Sequence, residues 1–125
     1  MDIIKLFDSE YKMMKLIWEH QPVNSTELKN LCEVEYQWKK STTYTIIKKL
    51  REKEYIKNEN ATISALVSID EVSHSEADSL LERYFDGSVP SFISSFVKNK
   101  KLSKKEINEI LELIEGVNED EDINR

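Results

Sequence analysis

The sequence predicts a mainly α-helical chain, interrupted once, after its third helix, by a short β-hairpin. Three observations carry that reading. Gly and Pro number only two each in 125 residues, which leaves few sites for tight turns. Apolar residues recur at three- and four-residue spacing in six separate segments. Between the third and fourth of these, residues 55–67 drop that spacing for two short extended pieces either side of Asn58, Glu59 and Asn60.

The first helix is predicted over residues 8–19, with Asp8 as its cap or first-turn acid and Tyr11, Met14, Ile17 and Trp18 as its buried stripe. Pro22 ends it. A second helix starts at Asn24, which can cap it while Glu27 reaches back, and turns Leu28, Leu31 and Cys32 inward. Residues 33–38 link to a third helix over roughly 40–54. There Thr43, Ile46, Ile47 and Leu50 fall within about 100° of arc and form the buried side. Ile56 and Ile63 supply the β-branched residues of the hairpin. Three short helices and a hairpin form the order of a winged helix-turn-helix, in which the third helix enters a major groove.

From Ser68 onward three more helices are predicted. Val72, Ala77, Leu80, Leu81 and Tyr84 mark the fourth helix, and Asp86, Gly87 and Ser88 form a turn. Ser88 with Pro90 starts the fifth, with Val89, Phe92, Ile93, Phe96 and Val97 on one face. Ser103 and Glu106 make a capping box for the sixth, which carries Ile107, Ile110, Leu111 and Ile114 and meets a stop at Gly116. The division expected is a winged-helix domain over 1–67, a three-helix domain over 68–117 and an acidic, unstructured tail over 118–125. About fifty residues bury such stripes poorly alone. Leu80, Leu81, Tyr84, Phe92, Ile93, Phe96, Ile107, Ile110, Leu111 and Ile114 are therefore the candidates for a dimer seam, and a homodimer suits a two-fold target.

Charge is segregated along the chain. Residues 39–57 carry seven Lys/Arg against two Glu, in a chain whose total is −6. Opposite the buried side of the third helix lie Ser41, Thr45, Lys48 and Glu52, flanked by Thr42, Tyr44 and Lys49. Of these Ser41, Thr42, Tyr44, Thr45 and Lys48 are the candidates for base readout, since hydroxyls and amines bond base edges and phosphates alike. An ordinary solvated helix favours Glu, Lys and Ala over Ser and Thr, so this composition weighs against a merely solvated face. Lys39, Lys40, Lys49, Arg51, Lys53 and Lys57 are the phosphate candidates, with glutamates near enough to pair with Arg51 or Lys53 instead. A second basic run, residues 98–105, holds five lysines and no acid and reads best as a solvated loop and first helical turn.

Other chemistry finds little support. A single cysteine, Cys32, allows no internal disulfide and fits a reducing compartment; with no membrane-length apolar run, the expectation is a cytoplasmic protein without membrane insertion. His20 and His74 have no ligand spacing to one another or to Cys32, so no metal or cofactor is expected. No Gly-rich phosphate loop, nucleophile elbow or paired-carboxylate site stands out, and the chain reads as a non-enzyme.

Taken together, "DSEYKMMKLIW", "VNSTELKNL", "TTYTIIKKLREKEYI", "LVSIDEV" and "FDGSVPSFISSFVKNKKLSKKEINEILELIE" resemble the penicillinase repressor family of bacterial regulators, which includes the methicillin-resistance repressors, over residues 6–116. The resemblance implies a winged-helix DNA-binding domain, a helical dimerisation domain and repression at dyad-symmetric operators in double-stranded DNA, with a role in antibiotic resistance. In some members a membrane sensor protease pathway leads to cleavage of the repressor; the position that matches here is Ser95–Phe96. Thr42 and Thr45 match the family's recognition-helix threonines, and Lys49 stands where Arg is usual. Lys39 replaces a Ser or Thr cap, Glu54 replaces a Gly, and the wing is short and lacks a basic tip, with Lys57 its nearest cation. The cysteine cluster of copper-responsive relatives is absent. Two other readings predict different behaviour: a protein-interaction adaptor would bind duplex feebly, and a small-molecule-responsive regulator would change its DNA affinity with ligand.

Overall fold

The computed structural model describes residues 3–124, with side chains described as far as residue 117. Six helices and three short strands follow in the order α1 (Asp8–His20), β1 (Val23–Asn24), α2 (Ser25–Tyr36), α3 (Lys40–Glu52), β2 (Ile56–Glu59), β3 (Thr62–Ala65), α4 (Ile69–Phe85), α5 (Val89–Lys98) and α6 (Lys104–Asn124). The strands form one antiparallel sheet in the order β1-β3-β2. The mainly helical fold and its hairpin are as the sequence predicts. β1 is new: two residues after Pro22 pair Val23 with Ile63 and Asn24 with Thr62, too short a run to leave an alternation in sequence.

In α1 the inward positions are Glu10, Met13, Met14 and Ile17, joined by Leu16. Tyr11, expected in that stripe, lies 41% exposed and meets Trp18 edge-on at 6.2 Å. The stripe was hard to place because its first inward residue is an acid. Phe7, not Asp8, is the N-cap, and its N–H donates to Glu10 Oε1 at 2.9 Å. Asn24 does cap α2, its Oδ1 accepting the Thr26 N–H at 2.8 Å. Glu27 makes no return bond among the described residues. α2 runs four residues beyond Cys32, to Tyr36, and ends where Gln37 turns left-handed at φ 57°. Buried Met13, Met14, Ile17, Leu28, Ile46, Ile47, Leu50, Ile56 and Ile63 close the core between α1, α2, α3 and the sheet.

The hairpin turns at Asn60 and Ala61, with φ of 53° and 63°, while Asn58 and Glu59 belong to β2 and pair with Ile63 and Thr62. Two consecutive positive φ values are the type I′ pattern that matches strand twist. Val67 anchors the exit from the sheet: its carbonyl accepts the Trp18 indole N–H at 2.9 Å.

The chain divides into two compact units, one ending at Ser79 and the other starting at Leu80. The sequence placed that boundary at 67/68; it falls inside α4 because Val72 is buried in the first unit and Ser75 bonds the backbone of Ile4. In the second unit Ser88 caps α5 through the Ser91 N–H at 3.1 Å, and Ser103 and Glu106 form the expected capping box on α6. Phe85, Phe92 and Phe96 stack edge-to-face at 5.3 and 5.0 Å. α6 does not stop at Gly116, which lacks the left-handed backbone of a terminating glycine, and continues to Asn124. The tail expected from 118 is therefore helical as far as Asn124; Arg125 lies outside the described residues.

Candidate nucleic-acid interface

α3 is seated by Thr43, Ile46, Ile47 and Leu50, all buried, and this fixes what the opposite side presents. Ser41, Thr42, Thr45, Lys48 and Lys49 are exposed along it. Thr45 donates its hydroxyl proton to the Ser41 carbonyl at 2.8 Å, so toward a ligand it offers an acceptor oxygen and a methyl. Tyr44 is half-buried at the edge, with the Lys40 ammonium 5.9 Å from its ring centre. The readout candidates thus share one edge, with Tyr44 set back from it.

The phosphate candidates separate into two groups. Lys39, Lys40, Lys49, Arg51 and Lys57 are exposed and, like Lys48, form no ion pair among the described residues. Their charge is uncompensated by the protein, the condition under which a cation releases counterions from a polyanion. Lys53 differs. Its Nζ lies 2.7 Å from Glu10 Oε1, bonds the Lys5 carbonyl at 3.3 Å and sits 4.9 Å from the Phe7 ring centre. Glu10 was missed in the sequence, where an acid one turn into a helix reads as solvated; it is 1% exposed.

Lys39 starts α3 without a side-chain cap; only its carbonyl serves, accepting the Thr43 N–H at 3.1 Å. Lys57 on β2 pairs across the hairpin with Ser64, and Glu59 shares its outward face, so the wing presents one cation beside one acid. Behind α3, Cys32 is fully buried, and burial pushes its thiol up to about 11, partly offset by the neighbouring Thr43 hydroxyl. Such a thiol stays protonated at neutral pH and is a poor metal ligand. Among the described residues no group of three His, Cys, Asp or Glu side chains is placed to hold a metal ion, and no helix is long and apolar enough to cross a membrane.

The remaining candidates lie in the second unit, where no described residue is buried. Leu80, Tyr84, Phe96, Ile107, Leu111 and Ile114 are exposed, while Leu81, Phe92, Ile93 and Ile110 are half-buried. Ser95 and Phe96 sit in the last turns of α5. The Ser95 hydroxyl donates to the Phe92 carbonyl at 2.6 Å, and the Ser95–Phe96 peptide lies within helical backbone.

The family model described as penicillinase repressor matches residues 6–116, most of the chain and both of its units. The chain belongs to the penicillinase repressor family. Its relatives include the penicillinase repressor of Bacillus licheniformis, 29% identical over 117 residues that cover 90% of this chain and 91% of that protein. The penicillinase repressor of Staphylococcus aureus is 25% identical, covering 91% of this chain and 94% of the relative. The methicillin resistance regulatory protein MecI of Mammaliicoccus sciuri is 21% identical, covering 88% and 93%. Among solved structures, the Bacillus licheniformis BlaI monomer in complex with the blaP half-operator superposes with a TM-score of 0.49 and 22% identity, over 56% of this chain and 90% of that one.

Within the family, the departures at Lys39 and Glu54 have visible consequences. Glu54 adopts φ 64°, the left-handed conformation that favours Gly. Lys39 leaves the start of α3 without the side-chain acceptor that a Ser or Thr supplies.

Proposed function

We propose that the protein is a homodimeric transcriptional repressor that occupies a dyad-symmetric operator in duplex DNA, with α3 of each copy in a major groove. The observation that carries this reading is the exposed edge of α3. Hydroxyls, and cations that form no ion pair among the described residues, are held on a helix whose other side is buried in the core. Membership of a family whose named relatives are repressors supports the same reading.

The mechanism follows from the chemistry of that edge. Ser41, Thr42, Thr45 and Lys48 face the base edges, where the Ser41 and Thr42 hydroxyls bond donors or acceptors, Thr45 offers an acceptor oxygen and a methyl, and Lys bonds guanine. Lys39, Lys40, Lys49 and Arg51 flank them and take the phosphates, which supply affinity without sequence preference. Lys57 adds one contact from a wing otherwise lacking cations. Bound, the dimer excludes polymerase, so repression is occupancy and asks no catalysis of the chain. The compartment is that of the chromosome, the bacterial cytoplasm.

The second unit supports the dimer. Side chains as large as Leu80, Tyr84, Phe96, Ile107, Leu111 and Ile114 stand exposed on α4, α5 and α6, and a second copy of the same surface removes them from water by an isologous contact. Footprinting of the duplex upstream of the protein's own gene tests the reading. Protection of two half-sites about one helical turn apart is expected. Uniform cleavage along that duplex and along genome-selected fragments would refute it.

A further inference from the structure

Beyond the end of α3 that faces away from its capping residue, a polar cluster ties the helix to the start of the chain. Lys53, the C-cap of α3, pairs with the buried Glu10 at 2.7 Å and bonds the Lys5 carbonyl at 3.3 Å. The same Glu10 oxygen accepts the Phe7 N–H at 2.9 Å. Two residues past Lys53, the Tyr55 hydroxyl accepts the Lys5 N–H at 3.0 Å. On α4, Ser75 Oγ accepts the Ile4 N–H at 3.0 Å and donates to the Ile4 carbonyl at 3.1 Å. Ile4 is thereby tied to α4, Lys5 to the C-cap of α3 and to Tyr55, and Phe7 to Glu10 of α1, all inside the first unit.

We propose that Lys53 is a positioning residue for duplex binding and not a phosphate contact. With Glu10 and the segment before α1 it latches α3 at the rotation and axial position in which its edge meets the groove. Apart from Thr43 the rest of the seat is apolar, and apolar burial is non-directional, so it defines the rotation and axial position of the helix less sharply than a directed bond does. The Lys53–Glu10 bond is charge-assisted and directional: both contacts to the buried carboxylate fall on Oε1, while Oε2 is buried without a partner. The pair therefore fixes one position for Lys53, the register role best attested for buried ion pairs. If Lys53 turned to a phosphate it would leave Glu10 charged, buried and unpaired, which is strongly disfavoured.

This inference rests on the duplex-binding reading, and its test keeps the two apart. Anisotropy titrations of an operator duplex across a salt series compare the wild-type chain with Lys53→Met, Lys53→Arg and Glu10→Gln, each first shown to be folded at the working temperature. Lys53→Met and Glu10→Gln should each bind about 2- to 30-fold more weakly with the salt slope unchanged, and Lys53→Arg should recover part of the loss. A phosphate-contacting Lys53 gives the opposite pattern: Lys53→Met lowers the slope by about 0.9, while Glu10→Gln frees the lysine and leaves binding equal or tighter. That pattern overturns the proposal. So does wild-type affinity in both variants, whatever their melting temperatures. Tyr55→Phe, which removes only the acceptor for Lys5, carries the test if Glu10→Gln does not fold; it too should weaken binding at constant slope, and unchanged affinity counts against the latch. Variants equal to a wild-type chain that binds remove this inference alone. A wild-type chain that binds no duplex removes it together with the functional reading.

Discussion

Lys48 and Lys49 are neighbours in sequence, and both are exposed cations without a partner among the described residues, yet the roles assigned to them differ. Lys48→Ala should cost about 1–3 kcal/mol of operator affinity and relax preference at one base pair; Lys49→Ala should weaken all duplexes alike and lower the salt slope by about 1. Titrations against operator and single-base variants separate the two, and equal effects on every duplex from both substitutions would contradict the assignment. Lys39 offers a test of stability. It caps α3 with its backbone alone and adds a positive charge to the positive end of the helix. Lys39→Ser should therefore stabilise the fold by about 1 kcal/mol in urea unfolding while losing one phosphate contact. A drop in stability would show that the lysine has a packing role.

At the scale of elements, the chain shows why some features were legible and others hidden. The stripe of α3 was fully readable because Thr43, Ile46, Ile47 and Leu50 share a face with no charged residue among them. The capping box at Ser103 and Glu106 was readable because its chemistry is local. The stripe of α1 was misplaced at Tyr11 because Glu10 owes its burial to Lys53, 43 residues away, and no local pattern records such a pairing. β1 was invisible for the same reason: two residues become a strand only because β3 lies beside them. α2 and α3 also share a titrating group that tests their packing. The Cys32 thiol is raised from 9.0 to about 11 chiefly by burial between them. The unfolded chain therefore loses this proton first, so the contribution is whole below pH 9 and is lost as pH rises through 11. Melting temperature should fall across that window and fall less in Cys32→Ala relative to its own neutral-pH value; an identical fall in both would contradict the assignment. The wing closes on Ala61 at φ 63° where Gly is favoured, a departure that only the backbone reveals.

For the whole molecule, the two units carry different parts of the account. The first has a closed core and presents α3; the second has no buried residue among those described and presents apolar side chains. The sequence divides the chain at 67/68, while Val72 and Ser75 tie the start of α4 to the first unit and Leu80 onward belongs to the second. Tyr84→Glu with Leu111→Glu should shift the protein from dimer to monomer in sedimentation equilibrium and leave the helix content of the first unit intact. Unchanged sedimentation would place the seam elsewhere or leave the chain monomeric. The central claim is that α3 meets duplex DNA, and one titration decides that most directly: fluorescence anisotropy of the wild-type chain with the duplex upstream of its own gene and with a scrambled duplex, from about 50 to 200 mM salt. The account predicts tight binding to the first, feeble binding to the second, saturation at two chains per site and a steep loss of affinity with salt. Equal, feeble binding to both duplexes, with no salt dependence, would contradict it.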